Sequence, residues 1–217
     1  MPTPDHNFEL RQLLKAYRKG LISDEIFEEQ LTEINGRPVR PLAAPPPPAR
    51  VWKSQGKIFH AERDLVVHFL DELRAGEAFG GTIFDLWQRV ASDPGLRGTL
   101  RAIGAREAMH GVMLAARLSE LGGAENANLP ASFAEATRAR LASTDVSDAE
   151  KLKEVLARLP DIETATGPLR EVIEQIEDDI ESRSLLELIV ADEESTVSCL
   201  RDAARRLGLG LPDEKDA

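Results

Sequence analysis

Residues 100–121 place a carboxylate and an imidazole on what should be the buried face of a helix. In LRAIGAREAMHGVMLAARLSEL, Glu107 and His110 are spaced three or four residues from the apolar members of that face. Those apolar members are Leu100, Ile103, Leu114, Leu118 and Leu121. Burying an unpaired carboxylate is costly, so we expect a cation or strong hydrogen-bond donors beside Glu107. A metal ion is the first candidate, because inward-facing Glu-x-x-His pairs hold metals in helical bundles.

A single Glu-x-x-His is a weak signal, but this one lies within an internal repeat. Residues 77–122 align without a gap on residues 163–208. The same residue occupies both copies at Glu77 and Glu163, Gly81 and Gly167, Asp93 and Asp179, Arg97 and Arg183, Ile103 and Ile189, Glu107 and Glu193, and Leu114 and Leu200. His110, in contrast, lies opposite Thr196. Each copy is therefore predicted to be a helix, a turn and a returning helix.

The repeat predicts that its glutamates converge. One Glu lies on the first arm of each copy and another lies thirty positions later. With a rise of about 1.5 Å per residue, positions on either side of a turn reach a similar height in an antiparallel helix pair. Two such pairs can bring together four carboxylates, from Glu77, Glu107, Glu163 and Glu193.

Three segments resemble the ferritin-like superfamily, which includes ferritins, bacterioferritins and rubrerythrins. They are LRAGEAFGGTIF around Glu77, GAREAMHGVMLAARL around Glu107 and His110, and SRSLLELIVADEESTVSCL around Glu193. The last segment is similar to the final helix of bacterioferritin. The resemblance extends from about Phe59 to Gly208, which is most of the chain.

This resemblance implies an all-α fold, a ferritin-like up-down four-helix bundle with a crossover helix and a two-metal centre of Fe or Mn. The implied activity is a di-iron oxidase or ferroxidase type, oxidising Fe(II) or activating O2 or peroxide. By the same analogy the protein should be a homo-oligomer, at least a dimer. The implied metal ligands are Glu77, Glu107, His110, Glu163 and Glu193.

Two other interpretations remain open, because Thr196 stands where a second His would be. In one, the bundle has lost its metal, holds none, and acts as an assembly or protein-interaction module. In the other, Glu77, Glu107 and His110 hold a single ion. The third-helix ligand is open as well, since Glu171, Glu174 and Glu177 are alternatives to Glu163. These three lie on what is otherwise expected to be a solvated acidic face.

Composition limits the binding partners and the cellular compartment that we expect for this protein. The formal net charge of −11 argues against a general nucleic-acid or anionic-membrane surface. One Cys excludes an intramolecular disulfide and favours a reducing compartment. The sequence shows neither a membrane-spanning apolar run nor a Sec signal, so we expect a cytoplasmic protein.

The chain is predicted to have four parts. Residues 1–36 should form a helical hairpin, similar to the short SHOCT-type hairpins and a candidate site for a protein partner. Residues 37–55 are Pro-rich and should be a semi-rigid linker; recognition by a Pro-binding domain is the alternative. Residues 56–210 should form the bundle, and residues 211–217 a disordered tail.

Within the bundle, helix one is predicted from about Gly56 to Ala91, with a turn at residues 93–95. A crossover helix should span residues 129–142. Helix three should begin near Asp148, meet Pro160 and be kinked or broken at Gly167–Pro168. Helix four should run from about Arg183 to Leu207.

Glycines around Glu77 and Glu107 predict close helix approach or space for a ligand. His68 and Glu72 are spaced like a ligand pair but are predicted to be partly exposed.

Overall fold

The computed structural model describes residues 6–36, 50–159 and 161–210, with the side chains of residues 6 and 7 excepted. The described residues are mostly helical, which confirms the all-α class. The chain divides into two compact units, Met1–Pro48 and Ala49–Ala217. Among the described helices, none is long and apolar enough to cross a membrane. Most of the predicted linker, residues 37–49, and the predicted tail, residues 211–217, lie outside the described residues.

The first unit is a helical hairpin, as predicted. Helix α1 spans His6–Arg18 and α2 spans Asp24–Gly36. Gly20 lies in the turn with φ +67°, a left-handed conformation that favours glycine. The Tyr17 and Phe27 rings stack at 4.3 Å between centroids, and the Tyr17 hydroxyl donates to Asp24 at 2.8 Å. Local aromatic packing therefore joins the two short helices.

The second unit begins with a β-hairpin that the sequence analysis missed. Strands β1, Trp52–Ser54, and β2, Lys57–Phe59, pair antiparallel through a turn at Gln55 and Gly56, both with positive φ. The side chain of Gln175 accepts from the Lys53 N–H and donates to the Lys53 carbonyl, each at 2.8 Å. These bonds imitate a third strand. The predicted linker therefore ends before Trp52, and helix one does not start at Gly56.

Six helices account for most of the remaining described residues of this unit. They are α3 (Glu62–Val90), α4 (Pro94–Glu120), α5 (Ala131–Ala142), α6 (Asp148–Arg158), α7 (Ile162–Ile173) and α8 (Ile180–Arg206). The short connection between α3 and α4 makes them antiparallel, and they pack along their length. Helix α5 corresponds to the predicted crossover helix and begins two residues later than predicted, after its cap at Pro130.

Residues shared by the two repeat copies have the same structural role in each. Asp93 caps α4 by accepting from the Leu96 N–H at 2.6 Å, and Asp179 caps α8 by accepting from the Ser182 N–H at 3.0 Å. Gly122 and Gly208 follow those helices with φ +67° and +70°. In its returning helices, α4 and α8, the internal repeat is thus a repeat of structure as well as of sequence.

The third helix differs from its prediction. The helical run from Asp148 ends at Arg158, and a new helix begins at Ile162. Helix α7 continues through Pro168, where a kink or break was expected. Asp161 caps α7 by accepting from the Thr164 N–H at 2.6 Å, which fixes the new helix start six residues before Pro168. Pro160 itself lies outside the described residues.

Two apolar clusters fill the core. One joins α3, α4, α7 and α8, and includes Leu70, Leu114 and Ile189. The other joins α3, α4, α5, α6 and α8, and includes Trp87, Ile103 and Leu200. In α3, α4 and α8, a short middle segment carries buried polar side chains. In each of these helices, residues of one apolar cluster lie before this segment and residues of the other cluster lie after it.

Close approach of α3 and α4 explains part of the predicted glycine cluster. A Cβ at Gly81 would lie 2.9 Å from the backbone nitrogen of Ala108, and one at Gly111 would lie 3.2 Å from that of Ala78. Any side chain at these positions would push the two backbones apart. The glycines therefore set the distance between the helices that carry the middle polar residues.

Asp148 is a second buried polar group with a structural role. Its carboxylate accepts from Trp87 Nε1 at 2.9 Å and from the Ser92 N–H and hydroxyl at 2.8 Å each. Burial by itself raises the pKa of Asp148, but these bonds outweigh it, so the pKa lies below its ordinary value. The ionised carboxylate thus ties the start of α6 to the end of α3.

Replacing Asp148 with Asn should lower the free energy of unfolding by about 1–3 kcal/mol at pH 7. Because the pKa is depressed on folding, the stabilisation is fully present above the unfolded pKa of about 3.9 and is lost as pH falls through the folded value. Urea denaturation at pH 7 and at pH 3 should therefore show the difference between wild type and variant shrinking at low pH. The exposed Asp145→Asn is the control, and an undiminished difference at pH 3 would contradict this role.

Candidate metal centre

The polar side chains of the middle segments meet between the two apolar clusters. Helix α3 supplies Glu77, α4 supplies Glu107 and His110, and α8 supplies Glu193. Glu77, Glu107 and His110 are 5%, 7% and 1% exposed. Four of the five predicted ligands are thus brought to one place by the helix registers that the repeat predicted.

Three of these residues can hold one ion. Glu77, His110 and Glu193 each offer a ligand atom, and these atoms all lie within 4.8 Å of one another. Two carboxylate oxygens and an imidazole nitrogen are a donor set that transition metals such as Fe, Mn or Zn accept. The cluster can therefore bind a metal ion, and its donors do not distinguish Fe from Mn.

His110 is fixed by a carboxylate on each side. Its Nδ1 lies 3.0 Å from Glu77 Oε2, and its Nε2 lies 2.9 Å from Asp192 Oδ2. Burial lowers the pKa of His110, but the two hydrogen-bonded carboxylates outweigh it, and the pKa is raised. When Nε2 donates to Asp192, Nδ1 can face the cluster as a ligand, which is the usual outer-shell support of a metal-bound histidine.

Glu107 lies against the cluster in a space that Gly80 leaves open. A Cβ at Gly80 would lie 2.5 Å from Glu107 Oε2, so any side chain there would displace the carboxylate. Burial raises the pKa of Glu107, and the charges of Glu193 and Glu77 raise it further. Burial and the charge of Glu77 also raise the pKa of Glu193. The repulsion among these carboxylates is a direct consequence of their convergence.

One further observation fits the binding of a cation. Glu193 Oε1 is buried and has no hydrogen-bond partner among the described residues. A buried carboxylate oxygen without a donor is costly, and a bound cation would satisfy it. The donor atoms, their spacing and this orphaned oxygen all suit a metal ion.

The second half of the site has a different chemistry. The Arg106 guanidinium donates to the Thr196 hydroxyl and, at 3.3 Å, to the Ser195 hydroxyl. Arg106 Nη1 lies 3.9 Å from Asp192 Oδ1. The gap-free repeat pairs Arg106 with Asp192 and Thr196 with His110. Each pair therefore takes one residue from each copy: Asp192 pairs with His110, and at the equivalent positions Arg106 pairs with Thr196.

Glu163 does not join the site. It lies exposed in the first turn of α7, beside Gly167 of the same helix. The alternatives Glu171, Glu174 and Glu177 are exposed as well. Glu163 lies outside the site because the helix is interrupted between α6 and α7. The third arm is therefore not one continuous helix in register with α3.

The other predicted pair, His68 and Glu72, is partly exposed as expected. His68 Nε2 lies 3.8 Å from Glu72 Oε1, and the Lys57 ammonium lies nearby.

The sequence analysis missed Asp192 and Arg106. Asp192 directly precedes Glu193 on α8, and Arg106 directly precedes Glu107 on α4. The sequence shows that these two residues adjoin ligands, but it does not show where their side chains point.

Comparison with models of known protein families gave no match, and comparison with curated proteins gave no significant match.

Proposed function

We propose that this chain is a ferritin-like metalloprotein that binds Fe or Mn and oxidises Fe(II) or activates O2 or peroxide. The buried cluster of Glu77, His110 and Glu193 carries the proposal. The repeated helix pairs, with matching caps at Asp93 and Asp179, support the ferritin-like architecture.

The roles of the residues follow from their contacts. Glu77, His110 and Glu193 would hold the ion, and the ion would supply redox chemistry. Asp192 orients the His110 ring by accepting from Nε2. Glu107 provides a further carboxylate at the edge of the cluster, where Gly80 leaves it space. The two apolar clusters pack on either side of this site along the helices.

We propose one ion per chain instead of two. The position equivalent to His110 is Thr196, and the Arg106 guanidinium bonds to it. This cation already lies near Glu107 and Glu193, whose pKa values its charge lowers, although burial and the neighbouring carboxylates dominate. A second divalent ion would have to displace a positive charge that the chain itself provides.

A second candidate function is a metal-free bundle that serves as an assembly or interaction module. It is favoured by the bonds that His110, Glu77 and Asp192 make to one another, and by the Arg106–Thr196 contact. Exposed apolar residues on the N-terminal unit, including Phe8 and Leu21, would then bind a protein partner or a second copy.

Aerobic Fe(II) oxidation tests the metal-dependent function. We expect the wild type to accelerate the appearance of Fe(III) absorbance over buffer and Glu193→Gln to lose that acceleration. Glu163→Gln is the matched control, because the repeat equates it with a ligand but the structure leaves it exposed. Equal rates for buffer and wild type, with Fe(II) or Mn(II) binding also absent, would favour the metal-free module.

A further inference from the structure

A cavity of about 570 Å³ opens beside the carboxylate cluster. Residues of α3, α5 and α6 form most of its wall, including Phe84, Phe133, Leu141 and Val155. This size is ordinary for a site that binds a small organic molecule. An inorganic ion or O2 alone would not need such a volume.

The two ends of the cavity differ in burial and charge. Glu107 and Thr196, which are 7% and 1% exposed, form its inner end together with Glu193. Arg140, Arg158 and Glu154 lie at its exposed end. The inner end therefore adjoins the proposed ion, and the outer end opens to solvent.

The outer end carries more positive than negative charge. The Arg140 guanidinium pairs with both oxygens of Glu154, with Nε at 3.1 Å from each. The Arg158 guanidinium lies 5.5 Å from the centre of the Phe133 ring, across the cavity wall. Two guanidinium groups thus accompany one carboxylate at the mouth, where an anionic group would be attracted.

We propose that this cavity binds an amphipathic carboxylic acid of the fatty-acid class, with its carboxylate at Arg140 and Arg158 and its alkyl tail directed toward Glu107 and Glu193. The apolar walls match the tail, and the carboxylates at the inner end would repel an anionic head placed there. This inference rests on the proposed function in one respect: the tail would be the part presented to the metal ion.

Fluorescence of cis-parinaric acid tests the binding. We expect a saturable increase with the wild type, with a Kd of order 10 µM. Dodecanoate should displace the probe, and dodecyltrimethylammonium, with the same tail and the opposite charge, should not. An absence of saturable binding would overturn the proposal, and equal competition by the two surfactants would overturn the role of the arginines.

Matched variants localise the site. Ala136 lines the cavity on α5, whereas Ala139 is exposed one turn away and does not line it. Ala136→Trp should weaken binding about tenfold or more, and Ala139→Trp should not.

A second pair tests the charge at the mouth of the cavity. Arg158→Glu should weaken dodecanoate binding about three- to tenfold, whereas Arg138→Glu should not. The Arg138 guanidinium is stacked on Phe79, outside this cavity. Equal effects within either pair would place the ligand elsewhere.

Paramagnetic broadening tests the orientation and separates this inference from the metal proposal. In protein loaded with Mn(II), the terminal methyl of ω-13C-dodecanoate should broaden more than the carboxyl of 1-13C-dodecanoate. The reverse order would overturn the orientation. If probe binding is saturable but Mn(II) does not bind and broadens neither signal, the proposed metal function fails while the cavity assignment stands.

Discussion

The double variant His110→Gln with Glu193→Gln is expected to lose metal binding, with affinity for Fe(II) or Mn(II) falling more than about 100-fold. Both residues offer ligand atoms within 4.8 Å of a Glu77 ligand atom, and no other imidazole of the described side chains belongs to this cluster. Loss of a supporting group alone typically costs about 10- to 100-fold, so loss of two direct ligands should cost more. Isothermal titration under anaerobic conditions measures the change.

The control for this variant is His68→Gln with Glu163→Gln, which makes the same two chemical changes outside the cluster. It should bind metal like the wild type. Metal-free melting distinguishes ligand loss from misfolding. Because Glu193 Oε1 is buried and has no hydrogen-bond partner within the described part of the chain, neutralising that side chain should leave the metal-free bundle folded. Unchanged metal affinity in the double variant would contradict the assigned ligands.

The double variant Arg106→Asp with Thr196→His is expected to raise the metal content from one ion per chain to two. The two changes would create an Asp–His pair at positions 106 and 196, which are the repeat equivalents of Asp192 and His110. Thr196→His alone should not add an ion, because the Arg106 guanidinium remains at that position. The single variant should instead lower stability by about 1–3 kcal/mol through overpacking.

Metal titration and thermal melting of the wild type, the single variant and the double variant together measure this prediction. Arg106→Asp alone is a further control, since it removes the cation without supplying an imidazole. One ion per chain in the double variant would show that the second half-site cannot be restored by these ligands. Two ions per chain in the wild type would contradict the role given to Arg106.

The sequence predicted the parts of the site that depend on helix periodicity. Glu107 and His110 were located by their spacing on one face, and Glu193 was located by the repeat, since α4 and α8 begin at equivalent capped positions. The bounds of α8 were predicted to within three residues for the same reason. Local capping and continuous helices make such inference reliable.

The parts that failed depend on a local break or on side-chain direction. Glu163 was assigned by the repeat, but the separation of α6 from α7 removes the register that the assignment needs. The β-hairpin depends on positive φ at Gln55 and on distant bonds to Gln175. Asp192 and Arg106 flank ligands in the sequence, yet only the packed helices show which neighbour each side chain contacts.

The metal content of the wild-type protein tests the central claim most directly. The protein would be purified without chelator, analysed by inductively coupled plasma mass spectrometry, then stripped and titrated anaerobically with Fe(II) and with Mn(II). We expect about one ion per chain to bind at micromolar concentration, and Glu163→Gln to bind the same amount. A wild-type protein that remains folded but binds neither ion at these concentrations would contradict the metalloprotein account.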